Sequence, residues 1–201
     1  YQVKPLADYR EFLGLVKGRE CRVHGTVNSY VSSDRRADAP ISMVRAVACN
    51  HWAQGVHGLY LSEWFNVWPY EASFYEKLRE LPYPEIMATK DKFYFVPTEG
   101  GVLQPPDTPL PKDLRENEPV DVRFAVADDL PRWQEAGRVH EVLLRVRVIG
   151  HTELDRLEFS LNGRSLPDRL LRKISEVYKM SGPRYRVMGG YWYIFRLDPD
   201  R

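Results

Sequence analysis

Glu63 closes the stretch Gly58 to Asn66, Gly-Leu-Tyr-Leu-Ser-Glu-Trp-Phe-Asn, and is the residue of this chain best placed to do chemistry. The stretch reads as a short buried β-strand running into a polar, aromatic end. A carboxylate at the C-terminal mouth of a parallel strand can serve as nucleophile or general acid/base in glycosidic cleavage, a reaction that ordinarily uses two such groups. The bland role for the same side chain is to hold a loop or a helix N-terminus by hydrogen bonds. Alternation sets Leu59, Leu61 and Glu63 on one strand face and Tyr60, Ser62 and Trp64 on the other. Glu63 therefore turns toward a lumen lined by Tyr60 and Ser62 only if the strand end bends.

Around it stand Trp64, Asn66, Trp68 and Tyr70. Aromatic rings of this kind stack on the apolar faces of sugars, or simply pack a loop against the next helix. His24 and Asn28 end an earlier strand, where either could hydrogen-bond a hydroxyl or orient a carboxylate; a satisfied structural histidine is the better reading of His24. His51 and His57 flank the turn at the N-terminal end of the strand, a position that speaks of stability rather than catalysis. Asp34, Arg35, Arg36 and Asp38 form a charged loop that reads as solvated. No His/Cys/Asp/Glu group has metal spacing, and no glycine-rich phosphate loop or nucleophile elbow occurs, so neither metal nor cofactor is expected.

The elements that must position these residues follow from periodicity. Asp8 to Val16 reads as a modest helix stopped by Gly18, and Glu20 to Asn28 alternates as a strand. Asp38 as a cap with Pro40 in the first turn opens a helix from Ile41 to Gln54, with Ile41, Val44, Val47, Ala48 and Trp52 inward and Gly55 past its end. Tyr70 to Leu81 reads as a further helix, Glu85 to Thr89 as one more turn, and Lys90 to Val96 as a short strand-like run. Strand, loop, helix, turn, strand and helix in this order is the rhythm of parallel β/α units.

Gly100-Gly101 and the prolines at 105, 106, 109 and 111 mark a change of regime. Pro119 to Ala127, Val139 to Ile149, Leu154 to Leu161 and Tyr191 to Leu197 alternate as strands, and Asn162-Gly163 is a type I′ turn signal before Arg164 to Leu166. Arg169 to Tyr178 looks helical. The expected fold class is α/β plus all-β. Residues 1–100 would be the C-terminal β/α units of an incomplete TIM barrel, and 101–201 an incomplete antiparallel β-sandwich.

Twenty-nine basic against 28 acidic residues give no electrostatic reason to expect nucleic acid or an anionic membrane as partner, and no apolar run approaches membrane-spanning length. Cys21 and Cys49, too few for a disulfide framework, read as small buried hydrophobes. The chain begins at Tyr1 and ends just after a strong strand, so both ends are expected to be cuts in a longer protein.

Met43-Val44-Arg45-Ala46-Val47-Ala48, Trp52-Ala53-Gln54-Gly55 and Gly58-Leu59-Tyr60-Leu61-Ser62-Glu63-Trp64 together resemble the last two β/α units of bacterial (β/α)8-barrel glycoside-hydrolase-like proteins. Lys90 to Tyr94 and Leu157-Glu158-Phe159-Ser160-Leu161-Asn162-Gly163 are similar to the following segment and accessory β-domain of that group. The chain departs from the pattern at His57, where aspartate is common, and at Glu63, where asparagine is frequent. The resemblance implies a carbohydrate substrate, cleavage of glycosidic bonds, and further barrel strands with a second carboxylate in a parent chain upstream of Tyr1. The catalytic role of Glu63 is not carried over from that group and rests on its place at the strand end; His24, Asn28, Tyr60, Trp64, Asn66 and Trp68 are the residues expected to contact the substrate. The alternative is a non-catalytic carbohydrate-binding or structural module.

Overall fold

The computed structural model describes residues 7–32, 37–62, 64, 72–96, 110–152, 154–176 and 190–199; for 30–32, 37, 38 and 176 it describes the backbone alone. The chain is mixed α and β. It divides into two compact units, Tyr1–Asp128 and Asp129–Arg201.

In the first unit, helix α1 (Arg10–Val16) precedes strand β1 (His24–Asn28), a short antiparallel pair β2 (Tyr30–Ser32) and β3 (Ala37–Asp38), helix α2 (Ile41–Ala53) and strand β4 (Gly58–Ser62). β1 and β4 pair in parallel, with His24 opposite Gly58 and Asn28 opposite Ser62. A parallel pair needs a long crossover, and α2 supplies it. Gly55, at φ 87°, makes the left-handed turn that carries α2 into β4. Pro40 is the N-cap residue, and its ring has no acceptor with which to cap the helix; the Asp38 side chain expected to do so lies outside the described residues. Cys21 is exposed, whereas Cys49 on α2 is buried. The strand begins only at His24, which leaves Cys21 outside the packed pair.

Val44 to His51 on α2 are all buried, polar residues included, so the helix has no solvent stripe over these two turns. One side packs with Val27, Leu59 and Leu61 of the two strands. Helices α3 (Phe74–Glu80) and α4 (Pro84–Met87) cover more of it: the Trp52 indole donates to the Leu81 carbonyl at 2.9 Å, and Leu81 and Met87 are fully buried. The rest is covered by chain expected to be strand. Phe93 N–H donates to the Ser42 carbonyl, and the Asn50 amide donates to the Ala125 carbonyl at 3.0 Å. Neither Lys90 to Val96 nor Pro119 to Ala127 forms a ladder. Some of their backbone groups bond instead to α2, through Ser42, Arg45 and Asn50.

The second unit opens with α5 (Leu130–Glu135), capped by the Asp129 carboxylate, which accepts from Arg132 N–H. An antiparallel sheet follows, ordered β5 (Val142–Ile149), β9 (Gly190–Leu197), β8 (Leu171–Glu176). The hairpin β6 (Ser160–Leu161) to β7 (Arg164–Ser165) turns through Asn162 and Gly163, both at positive φ as a type I′ turn requires. Leu157, Phe159 and Leu161 point inward as their alternation predicts, although only the last two residues of that run form a ladder. The helix expected from Arg169 is instead a 3₁₀ turn, Asp168–Leu170, followed by β8. Pairing of Leu171 to Glu176 along β9 overrides the local helical preference.

Candidate functional site

The register of β1 and β4 sorts their side chains cleanly. Gly25 and Val27 face α2: Val27 lies among Val44 and Val47, and a β-carbon on Gly25 would come within 2.9 Å of the His51 ring. Leu59 and Leu61 join them. His24, Thr26, Asn28, Tyr60 and Ser62 therefore belong to the opposite face. That face carries one imidazole, one amide, two aliphatic hydroxyls and one phenol. Tyr60 is 60% exposed and His24 is exposed too, while Asn28 is buried at the strand end. The His24 ring lies against Gly58, whose missing side chain leaves it room.

Trp64 is 4% exposed. Its indole N–H donates to the Val27 carbonyl at 2.8 Å, and its ring meets Phe74 at 6.1 Å with the Lys77 ammonium 6.0 Å from its centre. The ring thus walls the C-terminal end of the strand pair and ties β1 to α3. Glu63, Asn66 and Trp68 lie outside the described residues, as do Tyr70 and Asp34 to Arg36. The structure brings His24, Asn28, Tyr60 and Ser62 onto one face, with His24 at its N-terminal end rather than beside Asn28, and sets Trp64 in the interior near the C-terminal end, where Asn28 and Ser62 lie.

The outer edge of β1 is closed by side chains. Thr26 N–H donates to the Tyr9 hydroxyl at 2.9 Å, and its carbonyl accepts from His51 Nε2 at 3.1 Å. The Tyr9 and His51 rings meet edge to face at 5.0 Å. Gln54 secures this corner, accepting from Tyr9 N–H and donating to the Ala7 carbonyl. His51 is fully buried, and burial holds its pKa below the ordinary value against the opposing hydrogen bond to Thr26. His57 works between the strands at their N-terminal end: its Nδ1 accepts from Val23 N–H, and its backbone N–H donates to the Val23 carbonyl. Both histidines close backbone hydrogen bonds of the parallel pair.

A buried ionic system lies behind α2. The Arg45 guanidinium meets Glu80 at 2.6 Å with both side chains under a tenth exposed, reaches Glu76 at 3.2 Å, and donates to the Asp91 carbonyl. Burial alone would raise the Glu80 pKa, but the hydrogen bonds and charge of Arg45, with Lys90 beside it, hold it below the ordinary value. Nearby, Lys92 pairs with Asp128 at 2.9 Å, and the Tyr94 hydroxyl donates to the same carboxylate at 3.0 Å. Burial, with Asp128 adjacent, pushes the Tyr94 pKa up, and burial pushes the Cys49 thiol up to about 11. These groups have their partners within the interior, so they fix the wrapped chain to α2 rather than offer chemistry to a ligand. Sequence reasoning did not find this system. Arg45 within an apolar helix face was its one visible signal, since a charge there requires a partner.

Among the described residues no group of three His, Cys, Asp or Glu side chains could hold a metal ion, and no helix is long and apolar enough to cross a membrane. No family model matches the chain, and no curated protein matches it.

Proposed function

We propose that the first unit is the C-terminal part of a (β/α)8 barrel from a glycoside-hydrolase-like protein, acting on a carbohydrate, with the second unit an accessory β-sandwich. The observation that supports this most is the parallel β1–β4 pair with its polar face, His24, Thr26, Asn28, Tyr60 and Ser62, turned away from the covering helix. In a closed barrel that face is the lumen, and ligands sit at the C-terminal strand ends. Amide and hydroxyl groups there suit sugar hydroxyls, and the exposed Tyr60 ring suits a sugar's apolar face. Glu63, one residue past β4, supplies a carboxylate as acid/base or nucleophile, with a second from the parent chain upstream of Tyr1.

A non-catalytic carbohydrate-binding module is the second reading. It draws on Asn28 and Ser62, paired at the C-terminal strand ends, whose amide and hydroxyl can hydrogen-bond sugar hydroxyls without cleavage. One experiment separates the two. The full-length parent is assayed on a polysaccharide panel beside Glu63→Gln and Tyr60→Ala. Turnover that collapses in Glu63→Gln with binding retained supports the hydrolase. Sugar binding lost in Tyr60→Ala, with no turnover in any form, supports the module. Neither turnover nor binding rejects both.

A further inference from the structure

The sheet of the second unit has two unlike faces. Leu144, Val146, Tyr193 and Phe195 face the core. The opposite face carries arginines over an aliphatic floor. Arg145 on β5 and Arg172 on β8 both register with Ile194 on the central strand, so two guanidinium stems flank one isoleucine. Arg196 lies two residues along β9 opposite Leu143, and Arg169 approaches from the 3₁₀ turn. Together they line a groove of about 320 Å³ floored by Leu143, Leu170 and Ile194. The one carboxylate among its described lining residues is Glu141, 3.7 Å from Arg196. Arg145, Arg169 and Arg172 have no carboxylate partner among the described residues.

We propose that this groove binds an acidic peptide segment, one that alternates carboxylates with aliphatic side chains. A guanidinium presents a planar fork that takes a carboxylate through two hydrogen bonds, and here several forks rim one depression with a single acid among them. The floor decides the rest of the ligand. Among the described residues it is aliphatic, with no ring lining it on which a base or sugar could stack. The nearest aromatic on this face, Trp192, already has the Arg147 guanidinium 5.8 Å from its ring. Residues 129–201 carry fourteen Lys and Arg against ten Asp and Glu, an excess that suits a short acidic segment better than a phosphate polymer. The groove lies near the small end of ligand pockets, roughly 300–1,000 Å³, which leaves room for a few side chains. This inference is independent of the carbohydrate reading of the first unit.

The test uses the whole 201-residue chain. A short fluorescein-labelled peptide alternating glutamate with leucine is titrated by anisotropy, beside the same peptide with glutamine for glutamate, an oligothymidylate and an oligogalacturonate. Saturable binding of the glutamate peptide is expected, weakened about tenfold for each fork removed by Arg145→Gln and Arg172→Gln, and weakened by salt. Arg169→Gln, outside the sheet, checks the result should the strand variants fold poorly, and is expected to weaken binding severalfold. Equal affinity for the glutamine peptide, unchanged affinity in folded arginine variants, tighter binding of either polyanion, or no saturable binding overturns the proposal.

Discussion

His51 Nε2 donates to the Thr26 carbonyl at 3.1 Å from a ring that is fully buried. Its Nδ1 has no hydrogen-bond partner among the described residues, and a second proton on this ring meets no acceptor there. Burial lowers the folded pKa, while the unfolded chain takes up the proton near ~6.5. The sign follows: the contribution to stability is complete above about pH 6.5 and is lost as pH falls through the folded value, at up to ~1.4 kcal/mol per pH unit. Urea midpoints of wild type and His51→Phe, followed from neutral to mildly acidic pH, are expected to converge as pH falls. Parallel curves would contradict the assignment.

Gly25 and His51 are expected to be coupled. A methyl group on Gly25 would stand 2.9 Å from the imidazole, inside van der Waals contact. Gly25→Ala should cost about 1–3 kcal/mol in wild type and far less in a His51→Ala background. A double-mutant cycle measures the difference, and additivity would show that the two are not in contact.

Glu80 and Glu76 both meet Arg45, yet their removal should differ widely. Glu80→Gln leaves a buried guanidinium short of its main partner and is expected to cost about 3–5 kcal/mol. Glu76 is half exposed, and Glu76→Gln is expected to cost at most about 1 kcal/mol. Denaturant unfolding monitored by tryptophan fluorescence reads both.

The two cysteines should react at very different rates. Cys21 is exposed, while Cys49 is buried with its thiol pushed up to about 11, so little thiolate forms at neutral pH. A thiol reagent applied to the native chain is expected to titrate Cys21 promptly and Cys49 only on unfolding. Two equally fast thiols would mean that α2 is not packed as described.

Much of the first unit was legible because its signals are local. Alternation marked β1, apolar spacing marked α2, and Gly55 marked the turn between helix and strand. The Asn162-Gly163 hairpin was legible for the same reason. What escaped was decided by contacts distant in sequence. Pro119 to Ala127 has a strand's alternation, but Asn50 takes its Ala125 carbonyl and no ladder forms. Leu171 to Glu176 has a helix's spacing, but β9 offers an edge. Of the proposed site, alternation indicated the strand that carries His24 and Asn28, but not its start: His24 opens β1 opposite Gly58, at the far end from Asn28 and Ser62. The Tyr9–His51 closure of Thr26 and the inward turn of Trp64 needed the folded chain.

Helix α2 is enclosed around its whole circumference from Val44 to His51. An ordinary surface helix can exchange its outward residues freely, and it is there that descendants of one ancestor drift apart. Here no such outward residues exist over two turns. A single-codon insertion would rotate Arg45 away from Glu80, or His51 away from Thr26. Descendants of this chain should therefore vary in the length of their connecting loops while keeping this helix to a fixed count of residues, with a cation, an amide and an imidazole at the same intervals.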